Sequence, residues 1–323
     1  MTEYSVKQIW PNHADHISYY KEKYLNDMFK NETVVAQPKY DGERMLIHFD
    51  GKEVYCTSRR YSKKTGRFME NQDKLPYLTE AWKKANIDIG YTVIDCECYS
   101  KDWSTIVGIL HSLPDRAASL QNETTVKYAA FDCLFYNGED IREKPYFERL
   151  FYLKEFLKTF EYEQIHIVGK DVKLSSFQIF SQEDWKRAME DAINQRFEGI
   201  VIKSLDRKYY DKGASLKCKK FETVDCVVIN YQQGRGKYEN TVGALEIGYY
   251  DEEKDKLVKI SNVNCGSDEE RNMWRDRWTE LQYSVIEVKC QEITDRSLRH
   301  PVYIRLRKDK DYKMCTRNTI FKE

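Results

Sequence analysis

The stretch Gln37-Pro38-Lys39-Tyr40-Asp41-Gly42-Glu43-Arg44 sets one lysine among an acid, a glycine and an arginine, directly after the β-branched residues Thr33, Val34 and Val35. The β-branched run reads as a strand, and Asp41-Gly42 followed by Met45-Leu46-Ile47-His48-Phe49 reads as a hairpin. Lys39 then stands at a strand end beside a tight turn. An amine there is a nucleophile only without its proton, a form that burial or a nearby cation such as Arg44 would favour. Asp41 is placed to hold a metal or to accept a proton. A charged hairpin with a solvated lysine is the plainer reading of so short a stretch, so the rest of the chain has to decide.

The chain has 323 residues, 41% of them hydrophobic, enough for packed cores in two modest domains. Lysine plus arginine and aspartate plus glutamate number 53 each, so there is no global pull toward nucleic acid and any such affinity must come from local patches. The cysteines fall at irregular positions without a Cys-x-x-Cys spacing, and Met1-Thr2-Glu3-Tyr4 lacks the apolar core of a signal peptide. Reduced thiols in a cytosol-like compartment are expected. No apolar run approaches the length of a membrane span.

Ahead of Lys39, Trp10-Pro11-Asn12 reads as a turn and Ile17 to Phe29 as one amphipathic helix. His13 and His16 have no third ligand nearby and are read as surface residues. Val54 to Tyr61 is a strand running into Ser62-Lys63-Lys64-Thr65-Gly66-Arg67, and Arg59 to Arg67 carry five cations and no acid, which suits a phosphate backbone. In Tyr91-Thr92-Val93-Ile94-Asp95-Cys96-Glu97-Cys98 a period of two makes Ile94, Cys96 and Cys98 a core face and sends Asp95 and Glu97 toward the site. Tyr128 to Tyr136 is a strand ending in an Asn137-Gly138 turn; Pro145 opens a helix through Phe160, and Gln182 to Gln195 forms another.

Phe197-Glu198-Gly199-Ile200-Val201-Ile202-Lys203 is a short apolar strand with an acid at its mouth and a glycine that permits close approach to a ligand. Lys217 and Lys219 in Ser215-Leu216-Lys217-Cys218-Lys219 point to one side, where a phosphate would offset their repulsion. With Arg207, Lys208, Lys212 and Lys220 they form a second cation-rich stretch.

After Phe221 the chain turns to short strands at Val224 to Tyr231, Val242 to Tyr250, Lys256 to Val263 and Tyr283 to Ile293, with a helical insert around Asp268 to Leu281. This suggests a small β-barrel of the oligonucleotide-binding (OB) type and a boundary near Glu222, giving domains 1–222 and 223–323. Arg296 to Lys310 is a third basic stretch. The expected class is α+β, with antiparallel sheets and helices followed by the OB-fold barrel.

In order and spacing these segments resemble the ATP-dependent DNA ligases, within the covalent nucleotidyltransferases that also include RNA ligases and mRNA capping enzymes. Lys39-Tyr40-Asp41-Gly42-Glu43-Arg44 is similar to the family's nucleophile motif, Ser58-Arg59-Arg60 to the next, and Asp95-Cys96-Glu97 to the third. Tyr128 to Gly138 resembles the segment whose phenylalanine, here Phe131, stacks on adenine; Glu198-Gly199, Lys217-Cys218-Lys219 and Arg307-Lys308-Asp309-Lys310 resemble the later motifs. The resemblance implies that Lys39 attacks the α-phosphate of ATP to become lysyl-AMP, with Asp41 and Arg44 in the catalytic motif. Arg44 and Arg59 would bind phosphate or ribose, Glu97 ribose or a metal, and Glu198 a divalent metal, Mg²⁺ or Mn²⁺. Lys217 and Lys219 would neutralise the α-phosphate, and Arg307 with Lys310 would orient pyrophosphate.

The implied substrate is nicked duplex DNA, enclosed by a monomer of the minimal two-domain form found in bacteriophage, viral and some bacterial enzymes, acting in the cytoplasm in DNA repair, replication and recombination. Two positions depart from the family pattern. Ser215 stands where many members have tryptophan, which loosens packing under the phosphate lysines, and Gln37 where many have an acid. A glutamine still accepts through its carbonyl.

Rival readings are an RNA ligase or capping guanylyltransferase, which share the nucleophile motif, and a catalytically silent nucleic-acid clamp. The barrel after residue 222 and the Arg307 to Lys310 ending argue against an RNA ligase; the presence of every expected reacting residue argues against a silent clamp.

Overall fold

In this computed structural model the described residues are 9–170, 172–174 and 177–321. The chain divides into two compact units between Lys219 and Lys220. The first unit runs β1 (Asp15–His16), helix α1 (Glu22–Asn31), β2 (Val34–Lys39), β3 (Glu43–Asp50), β4 (Glu53–Ser62), β5 (Arg67–Glu70), α2 (Pro76–Ala85), β6 (Thr92–Tyr99), α3 (Trp103–Leu110) and α4 (Pro114–Glu123). It continues with β7 (Lys127–Tyr136), β8 (Glu139–Asp140), α5 (Tyr146–Thr159), β9 (Ile165–Ile167), α6 (Gln182–Asn194), β10 (Gly199–Ser204) and β11 (Ser215–Lys219). The strands form two sheets, one ordered β1-β11-β10-β2 and the other β5-β4-β3-β6-β7-β8 with β9 beside β7.

This topology corrects the reading of the opening stretch. Strands β2 and β3 belong to different sheets, so Asp41-Gly42 joins two layers and is no hairpin. Gly42 is not among the positive-φ residues. It is glycine because a Cβ there would lie 2.2 Å from the Cys98 carbonyl oxygen on β6. Asn137 and Gly138, with φ of 49° and 88°, do make the two-residue hairpin between β7 and β8.

Each sheet packs one apolar face against helices, while its other face is also largely buried, with polar side chains such as Gln37, Asp95 and Lys203 among its residues. Val34, Ala36, Ile200, Ile202, Leu216 and Cys218 pack on Leu25, Met28 and Phe29 of α1 and on Ala188 and Ala192 of α6. Met45, Ile47, Phe49, Ile94, Cys96 and Cys98 pack on Trp82 of α2, Ile106 of α3 and Phe156 of α5. Each Val, Leu, Ile, Met or Phe among them contributes about 1.5–3 kcal/mol on burial, the smaller side chains less. The cysteines here are small core residues whose thiols burial pushes well up, as at Cys96 and Cys98, and among the described residues no cluster offers three metal-ligating side chains.

Three helices of the first unit went unread. Pro76 and Pro114 mark the first turns of α2 and α4, and the Asp102 side chain caps α3 by accepting from the Thr105 amide at 2.7 Å. The single helix expected over Ile17 to Phe29 is a 3₁₀ turn at Ile17–Tyr19 followed by α1.

The second unit contains β12 (Glu222–Gln233), β13 (Val242–Asp251), β14 (Lys256–Val263), α7 (Asp268–Asp276), α8 (Trp278–Leu281), β15 (Val285–Cys290), β16 (Glu292–Ile293), β17 (Leu298–Arg299), β18 (Val302–Arg307) and α9 (Arg317–Phe321). Its main sheet is ordered β14-β13-β12-β15-β18. Strand β12 pairs with β15 over Glu222 to Val227 and with β13 from Val227 onward, with a register shift between Val228 and Asn230. One long strand with a bulge thus joins both halves of a single sheet, the device that curls an OB-type barrel. The helical insert sits where expected, its start fixed by reciprocal bonds between Ser267 and Glu270 at 2.8 and 3.2 Å. No helix among the described residues is long and apolar enough to cross a membrane.

Candidate active site

The face of the four-stranded sheet turned away from α1 and α6 is ordered by register. Lys39, Gly199 and Lys219 are direct cross-strand neighbours over β2, β10 and β11, and Gln37, Val201 and Lys217 form the next row. Opposed residues share a face. Glu198 donates its amide to the Lys39 carbonyl at 3.0 Å, and its carboxylate accepts from Lys39 Nζ at one oxygen and from Lys219 Nζ at the other. Burial alone would push the Glu198 carboxyl up, but the two lysines outweigh it and hold the group below its ordinary value. Lys217 is held below the usual lysine value by burial and by the charges of Lys219, Lys39 and Arg59, and among the described residues it has no ion pair. The repulsion expected between the two β11 lysines is therefore resolved by Glu198 for Lys219 and left standing at Lys217.

Gly199 corrects another expectation. Its φ is +149°, and a Cβ there would stand 2.1 Å from the Cys218 carbonyl oxygen, so the close approach is to a neighbouring strand and no ligand is needed to explain it. The missing side chain also leaves both flanking lysines free to reach Glu198. Gly199→Ala is expected to lower stability by about 3 kcal/mol, read as a fall in the urea midpoint at unchanged slope. A midpoint equal to wild type would show that the strands part at no cost.

The facing sheet presents Arg44 opposite Glu97 and Leu46 opposite Asp95. The Arg44 guanidinium forms two bonds to Asp95, Nε to Oδ1 at 2.8 Å and Nη2 to Oδ2, and donates to the Tyr209 hydroxyl at 3.1 Å and to the Asn12 carbonyl. Tyr209 in turn donates to Asp95 at 2.7 Å. The cation expected beside Lys39 is thus committed to a fully buried carboxylate, and the lysine's own neighbour is an acid. Burial raises the Glu97 carboxyl to about 7 against the pull of Lys39, Arg44 and Arg59, with Glu198 adding to the rise. Arg59 is exposed, and Asp41 lies half-buried in the turn between the sheets.

The Phe131 ring has two cations near it, the Arg44 guanidinium at 5.3 Å and Lys203 Nζ at 4.6 Å from its centroid. Lys203 is buried, donates to the Phe131 carbonyl at 3.2 Å and sits 4.4 Å over the Tyr146 ring. Burial pushes its ammonium down to about 8, against Asp132 and Asp95. The Tyr146 hydroxyl gives its one proton to the Phe131 carbonyl at 2.6 Å and can only accept from Gln37, whose Nε2 lies at 2.8 Å. The Gln37 carbonyl oxygen is therefore the end turned away from Tyr146, an acceptor at the position where an acid was expected.

Lys203, Tyr146, Tyr209 and Asn12 were missed. Lys203 had a signal, since alternation from Gly199 through Val201 places it on the same face; the others had none. His13, read as an ordinary surface residue, is held below the usual histidine value by partial burial and then by Arg44, Arg59 and Lys217, which puts it at the mouth of the site. Ser215 lies opposite Lys203 across β10 and β11.

The basic stretches do not act alike. Arg207 braces Glu32 at 2.8 Å and Lys208 pairs with Glu143 at 2.9 Å, which removes them from the phosphate face. In the second unit Arg305 pairs with Glu287 at 2.6 Å, Arg307 with Asp225 at 3.0 Å and Asp309 at 2.8 Å, and Lys310 with Asp225 at 2.9 Å. In the hairpin of β4 and β5, by contrast, Arg59, Lys63, Lys64 and Arg67 are exposed and have no ion pair among the described residues.

A strand-end lysine held with a second lysine on one carboxylate, facing an arginine-flanked ring, defines a nucleotidyltransferase-type domain, here followed by an OB-type unit. The family model described as ATP dependent DNA ligase domain matches residues 14–220, well over half of the chain, and the chain belongs to that family. It is 29% identical over 273 residues to a probable DNA ligase of Dictyoglomus turgidum, covering 79% of this chain and 43% of that one. It is 27% identical over 246 residues to a DNA ligase of Methanopyrus kandleri, covering 72% and 41% respectively. The chain thus spans less than half the length of these curated relatives. A solved structure from a study of Lig E DNA ligases, described as DNA binding with a minimal scaffold, shares the fold at a TM-score of 0.65 and 17% identity, covering 94% of this chain and all of that one.

Proposed function

We propose that the chain is an ATP-dependent DNA ligase that seals nicks in duplex DNA. The convergence of Lys39 and Lys219 on Glu198, with Lys217 beside them and Phe131 and Gln37 nearby, carries this reading. Lys39 Nζ attacks the α-phosphorus of ATP, the bond to pyrophosphate breaks, and the proton leaves the amine as the phosphoramidate forms. The 5′-phosphate at the nick then takes the AMP and frees the lysine; the 3′-hydroxyl attacks that phosphate and AMP departs. Phosphoryl transfer asks mainly for alignment and charge neutralisation, which Lys217 and Lys219 supply at the α-phosphate and Arg59 beside it. Phe131 offers a face to adenine, and the Gln37 carbonyl accepts from its amino group. Arg307 and Lys310 meet the departing pyrophosphate by exchanging their bonds to Asp225. The protein acts as a cytoplasmic monomer that closes around the DNA.

Glu97 and Glu198 fit a cation of the Mg²⁺ type, which takes one or two carboxylates and completes its shell with water and substrate phosphate. Bound there, Mg²⁺ or Mn²⁺ would offset charge building on the phosphates. Glu97 must be ionised for either a metal or a ribose hydroxyl to use both its oxygens. Because its folded value near 7 lies above the ordinary 4.5, the folded state holds the proton more tightly than the unfolded chain. The Glu97 contribution to stability therefore falls as pH rises through that interval, while its capacity to bind rises. Self-adenylation at limiting Mg²⁺ should climb from about pH 6 to about pH 8, with its midpoint near 7, and then level, and Glu97→Gln should remove that climb. A flat wild-type profile would count against this role.

The reading itself is tested by supplying labelled ATP or GTP and then nicked DNA or nicked RNA. Label is expected from ATP alone, followed by joined DNA. Labelling from GTP alone, or joining confined to RNA, would end the proposal.

A further inference from the structure

We propose that Trp10 and Tyr61 form an aromatic ledge that seats the sugars and base edges of the DNA strand whose phosphates lie on the basic hairpin of β4 and β5. Resting on the ligase reading above, this surface lies outside the nucleotide pocket and uses residues that no step of the chemistry employs. Trp10 is 59% exposed and Tyr61 40%. Their ring centroids are 5.0 Å apart with planes at 34°, and both meet the buried Phe68 ring edge-on, at 4.9 and 5.3 Å. Tyr61 and Phe68 are direct partners across β4 and β5. Trp10 is pinned by its buried neighbours Ile9 and Pro11, and its carbonyl accepts from the Tyr210 hydroxyl at 2.9 Å. The two wet rings are therefore held by packing beneath them, with little freedom left to lose on binding.

Charge selects the occupant. From Arg59 to Arg67 there is no acid, and only Arg60 has an ion pair among the described residues, to Glu43 at 3.4 Å. Unpaired cations around exposed rings match a polyanion whose sugars and base edges give the rings an apolar surface to rest on. Tyr61 lies two residues, about 7 Å, along β4 from Arg59. The charge of Arg59 acts on both Glu97 and Lys217, so the ledge begins where the nucleotide site ends, on the path that a strand bringing its 5′-phosphate to the adenylate must take.

The test is nicked-duplex binding over a salt series, after incubation of the protein with ATP and Mg²⁺, for Trp10→Ala, Tyr61→Ala and the pair Lys63→Ala with Lys64→Ala. Each ring variant should bind about tenfold more weakly at every salt concentration, with the slope of log affinity against log salt unchanged. The lysine pair should reduce that slope by about two. Trp10→Phe and Tyr61→Phe should restore most of the binding, and self-adenylation by the ring variants should match wild type. Ring variants that bind like wild type overturn the ledge, as does a loss of self-adenylation in Tyr61→Ala, which would make the rings a support of the fold. If wild type takes no AMP while the ring variants still lose DNA, the ligase reading falls and the ledge stands.

Discussion

Lys39→Ala is expected to carry no AMP after incubation with ATP and Mg²⁺ and to join nicked DNA on the order of 10⁵-fold more slowly than wild type, because the proposed nucleophile is then gone. The geometry makes this a sharper prediction than it first looks, since Lys39 and Lys219 bind the two oxygens of one carboxylate from either side of Gly199. What breaks the symmetry is the base pocket. Gln37 lies two residues before Lys39 on the same strand and is tied through Tyr146 to Phe131, and the charge of Lys39 acts on Glu97. On the proposed reading, an adenine held by Gln37 and Phe131 would bring its α-phosphate to the β2 side of the row. Lys219→Ala should therefore keep AMP on Lys39 while slowing the step about 10²-fold. Mass spectrometry of the digested adenylate decides, and AMP on the Lys219 peptide would sink the assignment.

The parts of the site legible in the sequence are those that period-two alternation can place. That Cys96 and Cys98 face the core and Glu97 faces away, or that Lys217 and Lys219 share a side, needs only a strand and a count. Partners distant in the chain were hidden. Nothing near Arg44 announces that Asp95 will take it, nothing near Arg307 points back to Asp225, and the cations at Arg207 and Lys208 look like a phosphate site until Glu32 and Glu143 fold onto them. Asp41-Gly42 misled for a related reason. A hairpin and a crossing between sheets both favour glycine, the first for its positive φ and the second for its missing Cβ, and only the second operates here. Helix α3, Trp-Ser-Thr-Ile-Val-Gly-Ile-Leu, is rich in β-branched residues and is helical because its buried face has a core to meet, a tertiary decision that local propensity does not report.

The hidden partner Asp95 yields the largest expected effect on stability. Its side chain has no exposure and that of Arg44 14%, so Asp95→Asn leaves a guanidinium in a nearly dry site beside Lys203 and Arg149, with Asp132 and Glu97 as the acids that remain near it. Breaking a buried pair from one side costs about 3–5 kcal/mol, because the orphaned charge keeps its desolvation penalty and loses its partner. In a unit of this size that corresponds to a fall in melting temperature of roughly 10 °C. Removing both charges in the double variant Asp95→Asn with Arg44→Met should recover most of the loss, which separates the cost of an unpaired charge from damage to packing. The double variant also isolates what Arg44 does for the reaction. If its work is to hold the wall behind Phe131, self-adenylation should drop by about tenfold or less once stability is restored; if it binds phosphate, the loss should approach 10²–10³-fold. An Asp95→Asn protein that melts with wild type would mean that solvent reaches Arg44 after all, and the pair would then be worth little more than a surface salt bridge.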